Sequence, residues 1–560
     1  MKPPDADAPP APRPAPLDAL VVRVLDALLR EDYRGLRSGA VQVAAPELDA
    51  GRWLQARYDG RLLLFPVRPG GFLADLVVRR PVLGRRTAAG VELLAGLDAV
   101  LDALRPAGDA EAEAGFATFV AECRQAAEVA VLPLPARPPA EAGPGLAGSL
   151  RYEALAARLE HPVYPTGRCR LGLSVADLRR YAPEFAPRFG LRWLALPADA
   201  AEQRGRRPGW WPEYGDRALL PVHPLTLGRL DEALHATGLA GTAELLPGEY
   251  AEVTPTLSMR TVALTADPTT HVKLPLPTST LGARNRRSLA PGTLADGDVV
   301  RRTLAAILAR EPAFADRILL ADESCHGHAG HEYLGYLIRR YPAGLDSATV
   351  LPLAALPLAA LPLDPAAADR FGEYLALLID WHVTLWLRYG MVLESHQQNI
   401  SLVLDGGPLR LLYRDNDGPR IDHPRLAGAL GQDAPEPTDF ADRRILAADP
   451  DELADVFTTI TVHLCAGALA FGLAERGLLD LPGALATIRH RLESAAAAHA
   501  YSPAAATLRR RVLDADRLPV KTMVTAGTLL PKHRTGAADI NKHYGTTGPN
   551  YLLPHHRRSR

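Results

Sequence analysis

Hydrophobic and polar positions follow their clearest pattern in the segment that leads into residues 391–418. Apolar residues recur at i, i+3 and i+4 from Phe371 to Tyr389, which predicts a helix that ends at Gly390. Two apolar runs follow, ISLVL and PLRLLY, and the Asp-Gly-Gly between them predicts a β-hairpin. We interpret the rest of the chain around this helix and hairpin.

The polar residues of the hairpin gather where its strands begin and end. Glu394, His396 and Asn399 precede the first strand, and Asp415 and Asp417 follow the second. Because antiparallel strands bring their open ends together, Asn399 and Asp415 could share one cation, and Mg²⁺ prefers such oxygen ligands. The alternative is a surface hairpin with solvated ends.

A second group of polar residues falls on two strand-like runs. Residues 255–264 (PTLSMRTVAL) predict a strand whose alternation places Ser258 and Arg260 on one face, and Lys273 lies on the next strand-like run. If the strands pair, the three side chains form a patch that is costly unless anions occupy it, which indicates phosphate or carboxylate ligands. The alternative is an edge hairpin whose charges prevent aggregation.

Two further segments carry candidate ligands. In HPVYPTGRCRLGLS, His161, Arg168 and Arg170 lie on a prolyl loop where they could face phosphate, although solvated arginines on a structural loop are the alternative. The histidines of CHGHAGHEY (residues 325–333) fit no common zinc spacing, so this stretch predicts a polar loop.

Composition shifts divide the chain into four parts. Residues 1–16 form a Pro/Ala tract that predicts a disordered tail, and Pro-rich segments at 132–145 and 351–365 predict boundaries. We therefore expect an N-terminal α/β unit (17–145), a β-rich unit (146–365) and a mainly helical unit (366–560). In the first unit, helices are predicted over residues 88–104 and 110–131.

The charge balance excludes general polyanion binding. The 560 residues contain 63 basic and 64 acidic side chains, for a net charge of −1, so no nucleic-acid partner is expected. Four scattered cysteines predict reduced thiols and a cytoplasmic location, and no apolar run predicts a membrane span. Neither GxxxxGK[ST] nor GxGxxG occurs, so P-loop and Rossmann nucleotide binding are unsupported.

The chain carries five motifs in this order: HPxYPxxRxRxG, PTLSMR, HVKLPLPTSTLGAR, ESHQQN and LLYRDNDG. In these motifs and in their order it resembles the IucA/IucC family, the NRPS-independent siderophore (NIS) synthetases. The resemblance implies a ligase that activates a carboxylic acid, citrate or a related polycarboxylate, with ATP as an acyl-adenylate. An amine or hydroxyl then attacks, and AMP and pyrophosphate are released. The family also implies an α+β fold shaped like a cupped hand, with thumb, fingers and palm lobes, and a homodimer.

The resemblance also implies residue roles. The expected ATP-binding set is His161, Arg168, Ser258, Arg260, Lys273 and Asn399, and the expected carboxylate-binding set is Thr280, Arg284 and His396. Glu394, Asn399 and Asp415 are the expected Mg²⁺ ligands, with Asp417 an alternate to Asp415, and Lys273, Arg260, Arg284 and His396 are the expected catalytic residues. If a helix begins at Thr280, one helical turn separates its hydroxyl from the Arg284 guanidinium.

Three departures from the family pattern concern the substrate pockets. Tyr164 stands where the first motif usually has a second His, Arg168 where it has Lys, and His223-Pro-Leu-Thr where HPWQ is usual. The acid and the nucleophile therefore stay open. Two other classes also stay open: a degenerate nucleotide-binding subunit, and a kinase-like phosphotransferase suggested by Asn399 and Asp415.

Overall fold

The computed structural model describes residues 15–135, 143–358 and 367–554. The predictions for the first fourteen residues, and for much of the two proline-rich boundary segments, lie outside the described residues.

The N-terminal region packs three helices on one antiparallel sheet. Its elements are α1 (Pro16–Arg30), β1 (Ala40–Ala45), β2 (Asp49–Tyr58), β3 (Arg61–Pro69), β4 (Leu76–Val78), β5 (Val82–Thr87), β6 (Gly90–Ala95), α2 (Leu97–Ala103) and α3 (Ala110–Ala130). The strand order is β1-β2-β3-β5-β6, with β4 on β3. The helix predicted over residues 88–104 is wrong in its first half. Gly90 and Gly96 adopt positive φ and delimit a strand that pairs with β5 before the helix begins.

The central region is built on a nine-stranded sheet. Its elements are α4 (Gly145–Ala156), α5 (Val175–Tyr181), β7 (Phe189–Leu196), β8 (Glu202–Arg204), β9 (Ala218–Val222), α6 (Leu227–Ala236), β10 (Glu244–Leu245), β11 (Tyr250–Pro255), β12 (Thr261–Leu264), β13 (Thr270–Lys273), α7 (Asp296–Arg310), β14 (Ile318–Leu320), β15 (Asp322–His328), β16 (Gly335–Arg340) and β17 (Thr349–Pro352). The sheet order is β10-β7-β11-β12-β13-β16-β15-β8, with β9 on β7. All its neighbouring strands run antiparallel.

Two predictions in this region are wrong in detail. The single strand predicted over residues 255–264 is interrupted by a turn at residues 256–260, because Met259 adopts a φ of 62° and Thr256 bonds back to the carbonyl of Thr261. The loop predicted at residues 325–333 begins instead as strand β15, since its backbone pairs with both β16 and β8.

The last region begins with the predicted helix and hairpin. Its elements are α8 (Ala367–Tyr389), β18 (Met391–Val392), β19 (Ile400–Leu404), β20 (Arg410–Tyr413), β21 (Arg420–Ile421), α9 (His423–Leu430), α10 (Asp451–Val456), a π-helical stretch (Phe457–Gly467), α11 (Ala468–Ala474), α12 (Leu481–Ala498), α13 (Pro503–Leu508), β22 (Arg517–Val520), α14 (Lys532–Thr535) and β23 (Thr546–Pro549). The hairpin sits in a four-stranded sheet ordered β14-β20-β19-β17.

One continuous helical segment, Asp451–Ala474, is long and apolar enough to cross a membrane by length and composition. In the structure, 83% of its most apolar window is buried by the rest of the chain. Its burial identifies it as a core helix of this fold.

The largest hydrophobic core joins the first and last regions, since it runs from Leu20 on α1 to Leu552 beyond β23. A separate core underlies the central sheet and includes Trp193 and Ile338. The predicted α+β class is confirmed: antiparallel sheets dominate the first two regions and helices dominate the third. The domain boundaries given above stay predictions.

Candidate active site

The three regions surround one cleft of about 840 Å³. Every predicted site residue lines it, namely His161, Arg168, Ser258, Arg260, Lys273, Thr280, Arg284, Glu394, His396, Asn399, Asp415 and the alternate Asp417. Among the lining residues, Lys and Arg outnumber Asp and Glu by fifteen to eight. His223 is fully buried and does not line the cleft. The fold thus gathers residues from 161 to 417 into a cationic cavity, and their individual roles stay predictions.

The hairpin brings its two polar ends together, as its sequence predicts. Ile400 pairs with Tyr413 in the β19–β20 register, and one step further the Arg414 amide donates to the Asn399 carbonyl at 2.9 Å. Asp415 follows directly, so its carboxylate reaches the cleft beside the residues that precede β19.

Lys273 and Asp415 belong to a cluster of ion pairs beneath the cleft, which we call the paired cluster: Lys273, Glu323, Arg339 and Asp415. The Asp415 Oδ2 atom lies 3.2 Å from Lys273 Nζ and 3.1 Å from an Arg339 guanidinium nitrogen. Arg339 also donates to Glu323 Oε1 at 2.7 and 3.0 Å. Burial by itself would raise the pKa of Asp415, but Lys273, Arg339 and Arg260 outweigh burial and hold that pKa well below its usual range.

A second set of cations lacks carboxylate partners within hydrogen-bonding distance in the described part of the chain. Arg260 lies in the turn between β11 and β12 and donates to the carbonyl of Ser288 at 2.8 Å, while the buried Nε of Arg287 has no hydrogen-bond partner. Burial lowers the pKa of both guanidinium groups, and for Arg287 the charges of Arg260 and Arg170 lower it further. Such a group of buried charges is unfavourable until an anion enters, so this wall of the cleft is suited to phosphate.

Ser258 occupies the same turn as Arg260, and not a strand face as its alternation predicts. Its Oγ atom accepts the Thr261 amide at 3.0 Å, which leaves the hydroxyl proton free to donate into the cleft.

The prolyl loop supplies a further wall of the cleft. His161 Nδ1 accepts the amides of Val163 and Tyr164 at 3.2 and 3.0 Å, so Nε2 carries the proton of the neutral ring. Burial, reinforced by His396 and Lys521, lowers the pKa of His161 to about 3, so the ring stays neutral. Arg168 is buried, and its guanidinium lies 3.8 Å from Glu184 Oε1. This carboxylate partly compensates the positive charge that Arg168 presents to the cleft.

The predicted carboxylate-binding residues line the cleft beside the prolyl loop, since the Leu171 amide donates to the Ser279 carbonyl at 3.1 Å. No helix begins at Thr280; Leu281 and Gly282 take φ values of 56° and 118°, and a tight turn carries Arg284 instead. The Arg284 side chain donates to the Ala526 carbonyl at 3.4 Å and has no ion pair among the described residues. Burial lowers the pKa of Arg284 and also that of His396. These two groups therefore present donors without internal carboxylate partners.

The predicted metal ligands lie together but not all are free. Lys542 Nζ contacts Glu394 Oε2 at 2.6 Å, and Asp415 belongs to the paired cluster. Asp417 is half-exposed in the cleft, and its Oδ2 atom lies 3.9 Å from Lys273 Nζ. Desolvation and the carboxylates of Asp415 and Glu394 raise the pKa of Asp417, while Lys273 opposes the rise. Because its ion pair is longer than those of Asp415 and Glu394, Asp417 is the least compensated of the three carboxylates.

Sequence reasoning missed several cleft residues. Arg339 on β16 is buried, and its alternation with the apolar Ile338 is the sequence signal that could have identified it as a site residue. Lys521 is 6% exposed, and burial lowers its pKa to about 8. Lys542 and Asp539 come from the basic C-terminal tail, which carries no motif from which its position could be inferred.

Two family profiles match the chain. The profile of the IucA / IucC family matches residues 149–358, and a profile described as ferric iron reductase FhuF-like transporter matches residues 371–537. The first includes Lys273 and Arg284, and the second includes the hairpin.

Curated relatives include siderophore biosynthesis proteins. The chain is 28% identical over 399 residues to the rhizobactin siderophore biosynthesis protein RhbC of Rhizobium meliloti (strain 1021), covering 59% of this chain and 64% of RhbC. It is 24% identical over 328 residues to staphyloferrin B synthase of Staphylococcus aureus (strain NCTC 8325 / PS 47), covering 49% of this chain and 54% of that protein. The chain thus matches less than two thirds of the length of these relatives.

Solved structures share the whole architecture. The petrobactin biosynthesis protein AsbB from Bacillus anthracis str. Sterne superposes with a TM-score of 0.73 at 16% identity, covering 95% of each chain. ATP-bound aerobactin synthetase IucA from a hypervirulent pathotype of Klebsiella pneumoniae gives 0.65 at 18% identity, covering 96% of this chain and all of the other. At these identities the likeness concerns the fold.

The described chain therefore has the fold of these siderophore-biosynthesis proteins, and residues 149–358, which carry most of the motifs that line the cleft, match the IucA / IucC family.

Proposed function

We propose that the protein is an ATP-dependent siderophore-type synthetase that adenylates a carboxylic acid and condenses it with an amine or hydroxyl, releasing AMP and pyrophosphate. The acid is citrate or a related polycarboxylate. The observation that carries the proposal is that Arg260, Arg284 and Arg287 line one cleft and form no ion pair among the described residues, although burial lowers the pKa of each guanidinium.

Two groups of cleft residues each support one part of the reaction. Arg260, Lys273 and the Ser258 hydroxyl would bind the phosphates and stabilise charge on the α-phosphate as the carboxylate oxygen attacks it. Arg284, with Thr280 and His396, would hold the polycarboxylate and aim that oxygen, because a planar guanidinium can bind a carboxylate through two parallel hydrogen bonds.

The oxygen donors fit Mg²⁺. In the described part of the chain, no three His, Cys, Asp or Glu side chains form a metal site by themselves. Mg²⁺ needs only one or two carboxylates when phosphates supply further ligands. Asp417, with its raised pKa, joins Glu394, Asn399 and Asp415 as a candidate ligand. When bound, the ion would neutralise part of the phosphate charge.

One assay tests the reaction class. The protein is incubated with ATP, Mg²⁺ and a panel of carboxylic acids and amines, and AMP, ADP and pyrophosphate are measured. Acid-dependent AMP and pyrophosphate support the synthetase. ADP would indicate the kinase-like alternative, and nucleotide binding without any turnover across the panel would indicate the degenerate subunit; either result contradicts the proposal.

The remaining partners are small molecules, and the homodimer and the cytoplasmic location stay predictions. Light scattering of the purified protein measures its oligomeric state. A monomer at all accessible concentrations would remove the dimer from the proposal.

A further inference from the structure

Helix α3 of the N-terminal region, which carries no motif of the family, contacts two walls of the cleft from behind. Gln125 accepts the Arg170 amide at 2.9 Å and donates to the Leu173 carbonyl at 2.8 Å, which fixes the prolyl loop. Three residues earlier, Glu122 is 2% exposed although it is a carboxylate. A charged group buried to this extent needs a compensating environment.

Glu122 obtains that environment from three hydroxyl groups. Its Oε1 accepts Thr528 Oγ1 at 2.5 Å, and its Oε2 accepts the Tyr164 hydroxyl at 2.8 Å and Thr166 Oγ1 at 3.3 Å. Burial raises the pKa of Glu122, while these hydrogen bonds oppose the rise. Tyr164 and Thr166 lie on the prolyl loop and Thr528 lies far along the chain, so Glu122 ties these two segments into one network.

The network continues directly to the turn that carries Arg284. Thr528 Oγ1 accepts the Ala283 amide at 3.0 Å, and the Arg284 amide donates to the Gly527 carbonyl at 2.9 Å. A Cβ atom on Gly282 would lie 2.8 Å from the Gly527 Cα, so the two backbones are in close contact here. A shift of Thr528 therefore moves the backbone of Arg284.

Glu122 also acts on Arg284 through charge. Burial lowers the pKa of the Arg284 guanidinium, while the charges of Glu122 and Tyr164 raise that pKa. No carboxylate in the described residues forms an ion pair with Arg284. A counter-charge behind the turn favours the charged guanidinium while leaving its hydrogen-bonding edge free for a ligand.

We infer that Glu122 is a positioning residue for acid recognition, which acts on Arg284 through Thr528 and by its charge. The inference rests on the proposed function. It also gives Tyr164, where the family usually has a histidine, a definite contact: its hydroxyl is one of the donors that hold Glu122. The N-terminal region then contributes to substrate recognition without touching the substrate.

The test compares Glu122→Gln with a matched control, Glu31→Gln. Gln keeps the shape of Glu122 and one of its two accepting oxygens, but it replaces the other oxygen by a donor and removes the charge. Glu31 is also buried and accepts the Val524 and Thr525 amides at 3.0 and 2.8 Å, so its variant disturbs the same segment without a bond to Thr528. For Glu122→Gln we expect the KM of the acid to rise about tenfold, as when one charge-assisted hydrogen bond is lost, with the KM of ATP unchanged.

A second readout needs no turnover. Phenylglyoxal labelling of the folded protein, followed at the Arg284 peptide by mass spectrometry, should be several-fold faster in Glu122→Gln and unchanged in Glu31→Gln. Thr528→Val should reproduce the Glu122→Gln pattern, and it provides the test if Glu122→Gln does not fold. Equal acid KM and labelling in Glu122→Gln and wild type, or equal effects in both Gln variants, would overturn the inference. Absent turnover by the wild-type protein would contradict the proposed function instead, while the labelling comparison still decides on Glu122.

Discussion

The paired cluster and the Arg284 turn both place an arginine on the cleft, yet the two arginines have opposite surroundings. Arg339 in the cluster meets Glu323 and Asp415 within 3.1 Å, and although burial would lower its pKa, these carboxylates raise it. The Arg284 side chain donates to the Ala526 carbonyl and forms no ion pair within the described ranges, and burial lowers its pKa. The carboxylate partners of Arg339 hold it in place, whereas Arg284 is left available to a ligand.

Lys273 should give the largest effect, because it belongs to the paired cluster and also lines the cleft. We expect Lys273→Ala to slow adenylation by a barrier increase of roughly 2–4 kcal/mol, since a cation near the phosphates is lost. Pyrophosphate release measures the rate, and circular dichroism checks the fold. A rate near that of wild type in the folded variant would remove Lys273 from the phosphate site.

Asp415 and Asp417 separate structural from metal-binding roles. Asp415→Asn leaves Lys273 and Arg339 with less compensation, so we expect a stability loss of roughly 2–3 kcal/mol together with lower activity. Asp417→Asn should preserve stability and raise the Mg²⁺ concentration needed for half-maximal rate. Thermal melting and Mg²⁺ titrations measure both. If only Asp415→Asn changes the Mg²⁺ dependence, Asp415 holds the metal, as the sequence predicts.

Arg284→Lys sharpens the comparison on the acid side. Lysine keeps the charge but loses the planar fork, so we expect the KM of the acid to rise and the rate to fall by about tenfold, while ATP binding survives. Arg286→Lys is the matched control, because Arg286 pairs with Glu332 at 3.0 Å. Steady-state kinetics with the acid varied at saturating ATP measure the difference. An Arg284 variant within about twofold of wild type would place acid recognition elsewhere.

Substitution of Lys521 should give the smallest of these effects, and the property that it changes is stability. The pKa of Lys521 in the folded protein, about 8, lies below that of lysine in an unfolded chain. As pH falls from about 10 to 8, the unfolded chain therefore binds a proton before the folded protein does, and the free energy of unfolding decreases. Lys521→Met should therefore raise the apparent melting temperature by about 1–2 °C at pH 7, and the gain should shrink by pH 10. A lower melting temperature at pH 7 would mean that nearby carboxylates already compensate Lys521.

The sequence predicts the parts of the site that depend on local pattern. The hairpin follows from two apolar runs and Asp405-Gly406-Gly407, and its closure alone places Asn399 beside Asp415. The turns at Ser258 and Thr280 are different, because Met259 and Leu281 adopt positive φ, which is uncommon for residues other than glycine and which the apolar pattern does not indicate. Both stretches therefore read as regular structure although they form turns.

Residues that reach the cleft from distant segments are the least accessible to sequence reasoning. Lys542 contacts Glu394 across a long sequence separation, and its neighbours in the chain form no periodic pattern. Glu122 lies in an ordinary amphipathic helix, where a glutamate is normally solvated. Only the packing of α3 against residues 526–529 reveals it, since a Cβ on Gly115 would lie 2.0 Å from the Leu529 carbonyl oxygen.

The Glu122–Thr528 contact also has a consequence for how the chain folds. Its two residues are 406 positions apart in sequence, and Glu31 and its partner Val524 are 493 positions apart. During synthesis, both carboxylates emerge long before the amides and hydroxyls that satisfy them, so they must stay hydrated and keep the N-terminal helices from docking fully. Contacts of such separation slow folding. We therefore expect the cleft to be completed late in folding, because two buried carboxylates of the N-terminal region are satisfied only by residues 524–528.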